Sequence, residues 1–420
     1  MDVLTNQSIT PNSAIQSYLL QPCIVPLHCK VQHYDWGDYE FIPRLLGIKN
    51  TSHKPYAELW IGAHPDLPAD AVIDGIKVPL NRLLARQPEN LLGPSIAKQF
   101  SGELPFLMKI LAARQPLSIQ VHPDKKQAQI GFEQENRLGI PLDSPRRNYR
   151  DLSHKPELLC ALTPFYVLRG FRPLEEITKV LESIPEWKGL REAFQPTEEG
   201  LKSFYSHLMT MPQEEVNEYL SPLINRLRQQ GEFPKSRLEY WLLKADELYS
   251  SAGRKDRGLF SFYLLNYFCL QPGEAIFLPS GVLHTYLGGV GVEIMANSNN
   301  VVRGGLTKKH VDVPALLEIV KFTAEAPEKM LPVTRSGLDS YPVPVEEFVL
   351  RRLPLPAGGT FEMETSFFHL AIVLQGSLEL TTETKTLTFH RGQSFLAPYG
   401  KSYRVHAQTD VEIFIGSCRQ

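Results

Sequence analysis

The chain has 420 residues, enough to bury one large hydrophobic core or two to three ordinary ones. Its hydrophobic fraction of 43% and charged fraction of 21% are those of a globular protein and exclude wholesale disorder. The formal net charge is -2 with both signs intermixed, which excludes the basic surface expected of a nucleic-acid-binding protein.

The first half of the chain divides into three segments. Residues 1–22 are polar and contain Pro11, so we predict a loosely held N-terminal arm. Residues 23–172 contain short apolar runs punctuated by Pro and Gly, a pattern typical of strands with some helix. Apolar residues then recur at helical spacing, so residues 173–255 are predicted to form a helical insertion.

One run in the strand-rich segment carries polar side chains at regular spacing. The run LSIQV (117–121) alternates well and is followed directly by His122. Because alternate residues of a strand point to the same side, Ser118, Gln120 and His122 are expected to share one face.

Strand-like sequence resumes after the insertion. FSFYLLNYFCL (260–270) predicts strand, and PALLEIVKF (314–322) predicts a short helix. FHLAIVLQGSLEL (368–380) and TLTFHRGQSFLAPYG (386–400) predict β-hairpins.

Two segments of this second half are versions of one another. Both follow the pattern Gly-x5-Pro-x-Gly-x2, which ends on His284 in the first copy and on Tyr403 in the second. The pattern resembles the second motif of the cupin superfamily, in which Gly and Pro shape a turn and the next strand points a His into a small antiparallel barrel. We therefore predict two cupin barrels, of which the N-terminal one can bind a metal and the C-terminal one is degenerate.

His284 needs partners to bind a metal. Cupin barrels commonly take them from an earlier hairpin with two ligands one residue apart, a spacing that Gln120 and His122 have. Glu157 follows later than usual, so we predict an elongated hairpin with ENRLGIPLDSPRRNYRD as its loop. Two imidazoles, a carboxylate and an amide oxygen suit zinc or another divalent first-row ion, and the spacing does not separate zinc from iron or manganese. A Gln-x-His pair alone is more often a core or surface feature, so the prediction depends on the four residues occurring together.

The sequence resembles the type I mannose-6-phosphate isomerases (phosphomannose isomerases) from about residue 26 to 312. The motifs that carry the resemblance are VQHYDWG, IPRLLG, YAELWIGAHP, LPFLMKIL, LSIQVHPDK, HKPELLCALTPF, PGEAIFLPSGVLHTYL and NVVRGGLTKK. With it, the expected fold is mainly β with α: two cupin (jelly-roll-like) β-barrels plus a helical insertion domain. The expected N-terminal arm covers residues 1–22, and the expected catalytic metal-binding cupin domain covers 23–172 and 256–325. The helical insertion domain is expected at 173–255, and the degenerate C-terminal cupin domain at 326–420.

The resemblance also implies roles for individual residues. It implies one zinc ion per chain, held by Gln120, His122, Glu157 and His284. It implies that Arg303 is the catalytic arginine. Further residues match polar positions of the family's substrate cleft or sugar-phosphate site: Lys155, Glu293, Lys309, Ser118 and Lys109.

The sequence departs from the family pattern beside Arg303. Asn299 stands where the family has Asp, Lys308 where Pro is usual, and Gly304 where Ala is usual. None of these changes removes a metal ligand. Because Asn299 lacks the charge of the usual acid, we expect the loop before Arg303 to be held in place differently from that of the family.

The function implied is the interconversion of mannose 6-phosphate and fructose 6-phosphate through an enediolate. Lys155 and Glu293 are the candidate bases, and Arg303 can stabilise either the enediolate or the phosphate. One alternative is a metal-bearing cupin that binds sugar phosphate without turnover, and another is a cupin oxygenase, which predicts iron. No P-loop, nucleophile elbow or dinucleotide fingerprint occurs, which disfavours kinases, hydrolases and dehydrogenases.

The expected partner is a small-molecule sugar phosphate, with no nucleic acid and no membrane. The five cysteines form no CxxC and no dense framework, and no basic leader or long apolar run is present. We therefore expect a cytoplasmic protein, and we expect it to be a monomer.

Overall fold

The structure, a computed structural model, describes residues 10–418. Its strands are β1 Val25–His28, β2 Lys30–Gln32, β3 Glu58–Ile61, β4 Asp70–Ile73, β5 Ile76–Pro79, β6 Phe106–Ala113, β7 Ile119–Val121, β8 Glu157–Ala161, β9 Phe165–Phe171, β10 Leu265–Leu270, β11 Ala275–Leu278, β12 His284–Ala296, β13 Val302–Gly305, β14 Val333–Arg335, β15 Leu338–Tyr341, β16 Val349–Leu355, β17 Thr360–Met363, β18 His369–Gln375, β19 Ser377–Thr381, β20 Thr386–His390, β21 Ser394–Ala397, β22 Tyr403–Ala407 and β23 Val411–Ser417. Its α-helices are α1 Pro11–Leu20, α2 Phe41–Leu45, α3 Leu80–Leu84, α4 Pro88–Leu92, α5 Pro94–Gln99, α6 Lys125–Arg137, α7 Leu174–Ser183, α8 Lys188–Ala193, α9 Glu198–Thr210, α10 Gln213–Gln229, α11 Leu238–Tyr249, α12 Ser261–Leu264 and α13 Val313–Ile319. Short 3-10 helices cover Pro185–Trp187 and Arg257–Phe260.

The described chain forms two compact units. Unit 1 contains the described residues up to Leu111, residues Val292–Asn297 and the described residues from Leu331 onward. Unit 2 contains Ala112–Gly291 and Ser298–Met330. The domain boundaries expected from the sequence stay a prediction.

Two β-sheets enclose the core of unit 1. The larger sheet has the strand order β14-β15-β16-β23-β18-β21-β1-β4-β5, and the smaller has the order β17-β22-β19-β20. Alternate residues of these strands point between the sheets, where Val373, Phe389, Phe395 and Ile413 pack in one cluster. The prediction of a mainly β, cupin-like fold with added helices is confirmed, although the sheets are open rather than closed barrels.

The predicted hairpins of the C-terminal segment are wrong in their pairing. Strands β18 and β19 follow one another, but β18 pairs with β21 and β23 while β19 pairs with β20 and β22. Gly376 and Gly392, both with positive φ, make the turns that carry the chain from one sheet to the other. Alternating sequence predicts strands but does not identify their partners, because the two sheets have the same side-chain period.

The N-terminal segment contains a packed helix, which differs from the loosely held arm that we expected. Pro11 is the first residue of α1, a position where proline is well tolerated because its missing N–H has no partner to lose. Thr10 caps this helix by accepting from the Ser13 backbone N–H, and α1 packs with Ile15 and Tyr18 buried. Residues 1–9 of the predicted arm lie outside the described residues.

The core of unit 2 lies between helices α7–α11 and the strands that they cover. The helical spacing predicted for residues 173–255 is confirmed: one face of α10 is buried from Val216 to Leu227. Trp187, fully buried, packs against Phe260 of the following 3-10 helix, with the ring centres 5.3 Å apart and the rings tilted by 51°. Burying a large apolar side chain stabilises a fold by about 1.5–3 kcal/mol, so this interface is a major source of stability.

Two further predictions for unit 2 are corrected. Residues 257–264 are helical, so the strand expected over 260–270 begins at Leu265. The predicted elongated hairpin before Glu157 is not formed, because β7 pairs with β12 and β13 and β8 pairs with β11 and β12, but β7 and β8 do not pair with each other. The connection instead holds α6, which begins at Lys125 and is preceded by the N-cap residue Asp124, whose hydrogen bonds with Gln127 are reciprocal.

The repeated glycine motif has the same local structure in both copies. Gly273 and Gly281 have φ of 87° and 86°, and Gly392 and Gly400 have φ of 84° and 72°. Such values favour glycine because a Cβ would meet the backbone. Each copy is followed by a strand that begins at the last motif residue, His284 in β12 and Tyr403 in β22.

Over residues 10–418, no helix combines the length and the apolar character that crossing a membrane requires.

Candidate metal centre

Three donor side chains meet in unit 2. His122 follows β7, Glu157 begins β8 and His284 begins β12. Nε2 of His122 lies 3.4 Å from Oε1 of Glu157, and Nε2 of His284 lies 3.4 Å from Oε2 of the same carboxylate. All three side chains are buried, and one ligand atom from each lies within 4.8 Å of the others. This spacing allows one ion to be bound by all three.

Hydrogen bonds to backbone carbonyls fix both imidazole rings. Nδ1 of His122 lies 2.8 Å from the carbonyl oxygen of Asn300, and Nδ1 of His284 lies 3.0 Å from that of Val282. A carbonyl oxygen only accepts, so the proton of each ring is on Nδ1 and the lone pair is on Nε2. Nε2 of His122 is buried and makes no hydrogen bond. A buried nitrogen lone pair without a donor fits a metal ligand, and a carbonyl on the other ring nitrogen is how such ligands are usually oriented.

The charges of the cluster also fit a cation. Burial lowers the pKa of His122 to about 4, so its ring is neutral at pH 7. Burial alone would raise the pKa of Glu157, but Lys155 and His122 hold it well below its usual value. Nζ of Lys155 lies 3.0 Å from Oε1 of Glu157. The donor set is therefore two imidazoles, of which that of His122 is neutral, and one carboxylate.

Gln120 lies in the middle of a row of three paired residues. It is directly opposite His284 of β12 on one side and directly opposite Arg303 of β13 on the other. Directly opposite residues of antiparallel strands point to the same face, so the three side chains share one side of the sheet. The Gln120 amide nitrogen donates to Ser118 Oγ at 3.2 Å, which leaves its oxygen as the atom suited to a cation. The predicted common face of Ser118 and Gln120 is confirmed.

The turn of the glycine motif is tied to the same cluster. The Gly281 backbone N–H donates to the carbonyl oxygen of His122 at 2.9 Å. Gly281 stands three residues before His284. One hydrogen bond therefore links the turn that delivers His284 to the residue that delivers the second imidazole.

Positive charges gather near Arg303. Burial and the charge of Arg150 lower the pKa of Arg303. Burial, Arg303 and Arg150 lower the pKa of Lys309 in the same way. Within residues 10–418, none of the three makes an ion pair with a carboxylate, so the group is suited to a multiply charged anion.

Arg150 was not predicted from the sequence. It is one of three arginines in RRNYR, and nothing local distinguishes it from Arg147. Arg147 is buried and binds Glu135 and nearby carbonyls, whereas Arg150 is exposed. The difference in burial between Arg147 and Arg150 depends on how the folded chain packs around them, which the local sequence does not show.

Two residues predicted for the site, Lys109 and Glu293, belong to unit 1 and are paired there. Nζ of Lys109 lies 3.1 Å from Oε2 of Glu293 and 3.4 Å from Oε1 of Glu58. The same Nζ lies 5.5 Å from the centre of the Trp60 ring, whose Nε1 donates to Glu58 at 2.6 Å. Glu58 was missed in the sequence analysis, although an acid between apolar residues in YAELWI was an available signal.

Several known proteins are similar to this chain in sequence and in fold. Residues 24–174 match the family described as phosphomannose isomerase type I, catalytic domain. The mannose-6-phosphate isomerase of Escherichia coli (strain K12) is 43% identical over 324 residues, covering 76% of this chain and 80% of that protein. The Homo sapiens mannose-6-phosphate isomerase is 35% identical over 394 residues, covering 86% of this chain and 90% of that protein. A crystal structure of the Salmonella typhimurium mannose 6-phosphate isomerase bound to fructose 6-phosphate and zinc has a TM-score of 0.86 and 34% identity, covering 95% of this chain and 100% of that chain.

The fold and the donor set define a cupin-like metal-binding enzyme. Sequence identity over most of the chain then fixes the family. The chain belongs to the type I mannose-6-phosphate isomerase family, and the family prediction is confirmed.

Proposed function

We propose that this protein is a zinc-dependent aldose–ketose isomerase that interconverts mannose 6-phosphate and fructose 6-phosphate through an enediolate. The buried donor cluster of His122, Glu157 and His284, in a chain of this family, carries the proposal. The Salmonella typhimurium relative, crystallised with fructose 6-phosphate and zinc, supports both the metal and the substrate class.

Four residues are proposed to hold the zinc ion. They are the three clustered donors and Gln120, which lies opposite His284 in the sheet. When bound, zinc supplies positive charge beside the two sugar oxygens that share the negative charge of an enediolate. The neutral amide of Gln120 preserves that charge, which a second carboxylate in its place would cancel.

Lys155 is proposed to move the proton. The reaction takes a proton from C2 of the aldose and returns it to C1, so one group must accept it and then donate it. Lys155 lies at the donor cluster with a side chain only 13% exposed. After it has lost its own proton, its amine can accept the proton from C2, and the ammonium so formed can donate that proton to C1. Glu293, the other candidate, is engaged with Lys109, so we assign it to holding that lysine.

Arg303 and its neighbours are proposed to stabilise negative charge. Arg303 shares the sheet face of Gln120 and His284, which favours a role at the enediolate oxygens. Lys309 and Arg150 are exposed and close enough to repel Arg303, which favours binding of the phosphate end of the sugar. Ser118, which accepts from Gln120, is assigned to the same sugar-phosphate site.

We also propose that the protein is a cytosolic monomer. Its five cysteines, all among the described residues, form no disulfide with one another, as expected in a reducing compartment. The monomeric state is a prediction that a mass measurement in solution can test.

Turnover of mannose 6-phosphate, detected as fructose 6-phosphate, tests the proposal. We expect chelation to abolish turnover and zinc to restore it. Glu157→Gln should not regain activity with zinc, whereas the matched change Glu133→Gln, at a side chain 64% exposed on α6, should behave as wild type. Turnover that survives complete metal removal would contradict the proposal, and bound zinc without turnover would favour a sugar-phosphate-binding cupin.

A further inference from the structure

A hydrogen-bonded bracket joins two loops of unit 2 that are far apart in the chain. We define the Asp151–Asn300 bracket as residues 150–153 and 298–300. The Asp151 carboxylate accepts hydrogen bonds from Ser298 Oγ at 2.8 Å, the Asn299 backbone N–H at 2.7 Å and the Asn300 amide nitrogen at 3.1 Å. It also accepts from the Ser153 backbone N–H at 3.0 Å. One carboxylate therefore organises both loops.

Asn300 completes the bracket from the other side. Its amide oxygen accepts from the backbone N–H groups of Arg150 at 2.6 Å and of Asp151 at 3.1 Å. Its amide nitrogen donates to the carbonyl oxygens of Asp151 and Ser153, both at 2.8 Å. Asn300 is fully buried, so these bonds are shielded from competing water.

One backbone oxygen of the bracket contacts the donor cluster. The backbone carbonyl of Asn300 is the acceptor that holds Nδ1 of His122 at 2.8 Å. Its position fixes which ring nitrogen carries the proton and where Nε2 points. The bracket also lies at the roots of two proposed active-site segments, since Lys155 follows Ser153 by two residues and Arg303 follows Asn300 by three.

The same contacts explain how this chain tolerates Asn299. The loop before Arg303 is held through the backbone N–H of Asn299 and through its two neighbours, each bonded to Asp151. The charge that organises this loop therefore comes from Asp151, and an acid at position 299 is not needed for it.

We propose that Asp151 is a positioning residue that, through Asn300, sets the orientation of His122 and, through residues 298–300, sets the placement of Arg303. It acts through other residues and is not itself a ligand or a proton carrier. This inference rests on the proposed function for its effect on turnover, but its effect on metal binding is independent of turnover.

The variant Asp151→Asn tests it. The change keeps the shape of the side chain but replaces one acceptor oxygen by an NH2 group that faces N–H and O–H donors. We expect the dissociation constant for zinc, measured by competition with a chelator, to rise about 10- to 100-fold, the range seen when the partner of a metal-binding His is lost. We expect kcat to fall about tenfold or more while KM changes less, because a misplaced Arg303 acts on the transition state.

Asp246→Asn is the matched control. Asp246 is likewise a hydrogen-bonded acid of unit 2, buried where Asp151 is partly buried, and it pairs with Arg228 at 2.7 Å and with Lys255 at 2.7 Å. It belongs to helix α11 and not to the bracket. Its loss should lower stability but leave zinc affinity and kcat unchanged below the unfolding temperature. Should Asp151→Asn fail to fold, Ser298→Ala removes one of the four donors and should shift zinc affinity and kcat in the same direction, by less.

The outcomes separate the two proposals. A folded Asp151→Asn with wild-type zinc affinity and wild-type kcat overturns the positioning role. If wild-type protein binds zinc but does not turn over the sugar phosphate, the proposed function fails, and the zinc affinity of Asp151→Asn still decides the inference. If wild-type protein binds no zinc, both proposals are wrong.

Discussion

The ammonium nitrogen of Lys155 lies 3.0 Å from Oε1 of Glu157, the carboxylate that also faces both imidazoles of the donor cluster. The exposed fractions of the two side chains are 13% and 5%. In this shielded pair the lysine charge helps to hold Glu157 ionised. A metal ion and Lys155 would therefore compete for the same carboxylate, which places the proposed proton carrier next to the proposed zinc.

Replacing Lys155 separates metal binding from chemistry. In Lys155→Met we expect kcat to fall about 10²- to 10⁴-fold, the usual contribution of a general base, while bound zinc is retained. Lys155→Arg should be equally slow, because a guanidinium does not lose its proton near neutral pH. Steady-state kinetics with zinc content measured on the same samples check this. A kcat within threefold of wild type in both variants would remove Lys155 from the mechanism.

Replacing Lys309 tests the proposed phosphate contact. Lys309→Met should raise KM for mannose 6-phosphate about tenfold, the loss of roughly 1.4 kcal/mol from one charge contact, with little change in kcat. Arg150→Met should do the same. The adjacent exposed Lys308 offers a matched control, since Lys308→Met changes the net charge equally. Equal effects at Lys308 and Lys309 would mean that only the overall charge matters.

The buried lysine of unit 1 predicts a stability effect. Lys109→Met leaves the carboxylates of Glu58 and Glu293 buried without the ammonium between them, and such changes cost about 3–5 kcal/mol. The exposed pair of Arg44 and Glu40 is the control, because removing a surface partner costs about 0–1 kcal/mol. Urea denaturation, followed by tryptophan fluorescence, measures both. Similar midpoints for Lys109→Met and Arg44→Met would show that the buried group contributes no special stability.

His369 predicts part of the acid sensitivity of unit 1. Burial and the nearby Arg351 lower the pKa of this histidine, from 6.5 to about 3, and its Nδ1 lies 3.1 Å from the Tyr403 hydroxyl. Between these two pKa values the unfolded chain binds a proton that the folded protein does not. Stability is therefore full above the higher value and falls as the pH decreases, by about 1.4 kcal/mol per pH unit for one proton.

The variant His369→Gln should remove that slope. The free energy of unfolding, measured by urea titration at about pH 6 and about pH 5, should fall less steeply in the variant than in wild type. His390→Gln, at an exposed histidine of β20, should keep the wild-type slope. A variant slope equal to that of wild type would show that other groups account for the acid sensitivity.

Local patterns pointed to some of the candidate metal donors, and the family resemblance supplied the rest of the support. Alternation placed Gln120 beside His122 at the correct spacing, and the glycine–proline turn placed His284 at the start of its strand. These predictions succeed because strand alternation and left-handed glycine turns depend on a few consecutive residues. The same reasoning failed for strand partners after residue 368, because pairing depends on segments that are distant in sequence.

By itself, the sequence determined the family, the mainly β fold with a helical segment, and the residues able to bind a metal. Only the tertiary structure decided the burial and the partners of the charged residues near the site. Arg150 and Arg147 look alike in the sequence, yet one faces other cations while the other is buried against Glu135. Asp151 and Asn300 lie 149 positions apart, and their bonds exist only because folding brings the two loops together. The energetic effect of a charge or a hydrogen bond depends on its burial and on the groups around it, and the folded chain determines both burial and neighbours.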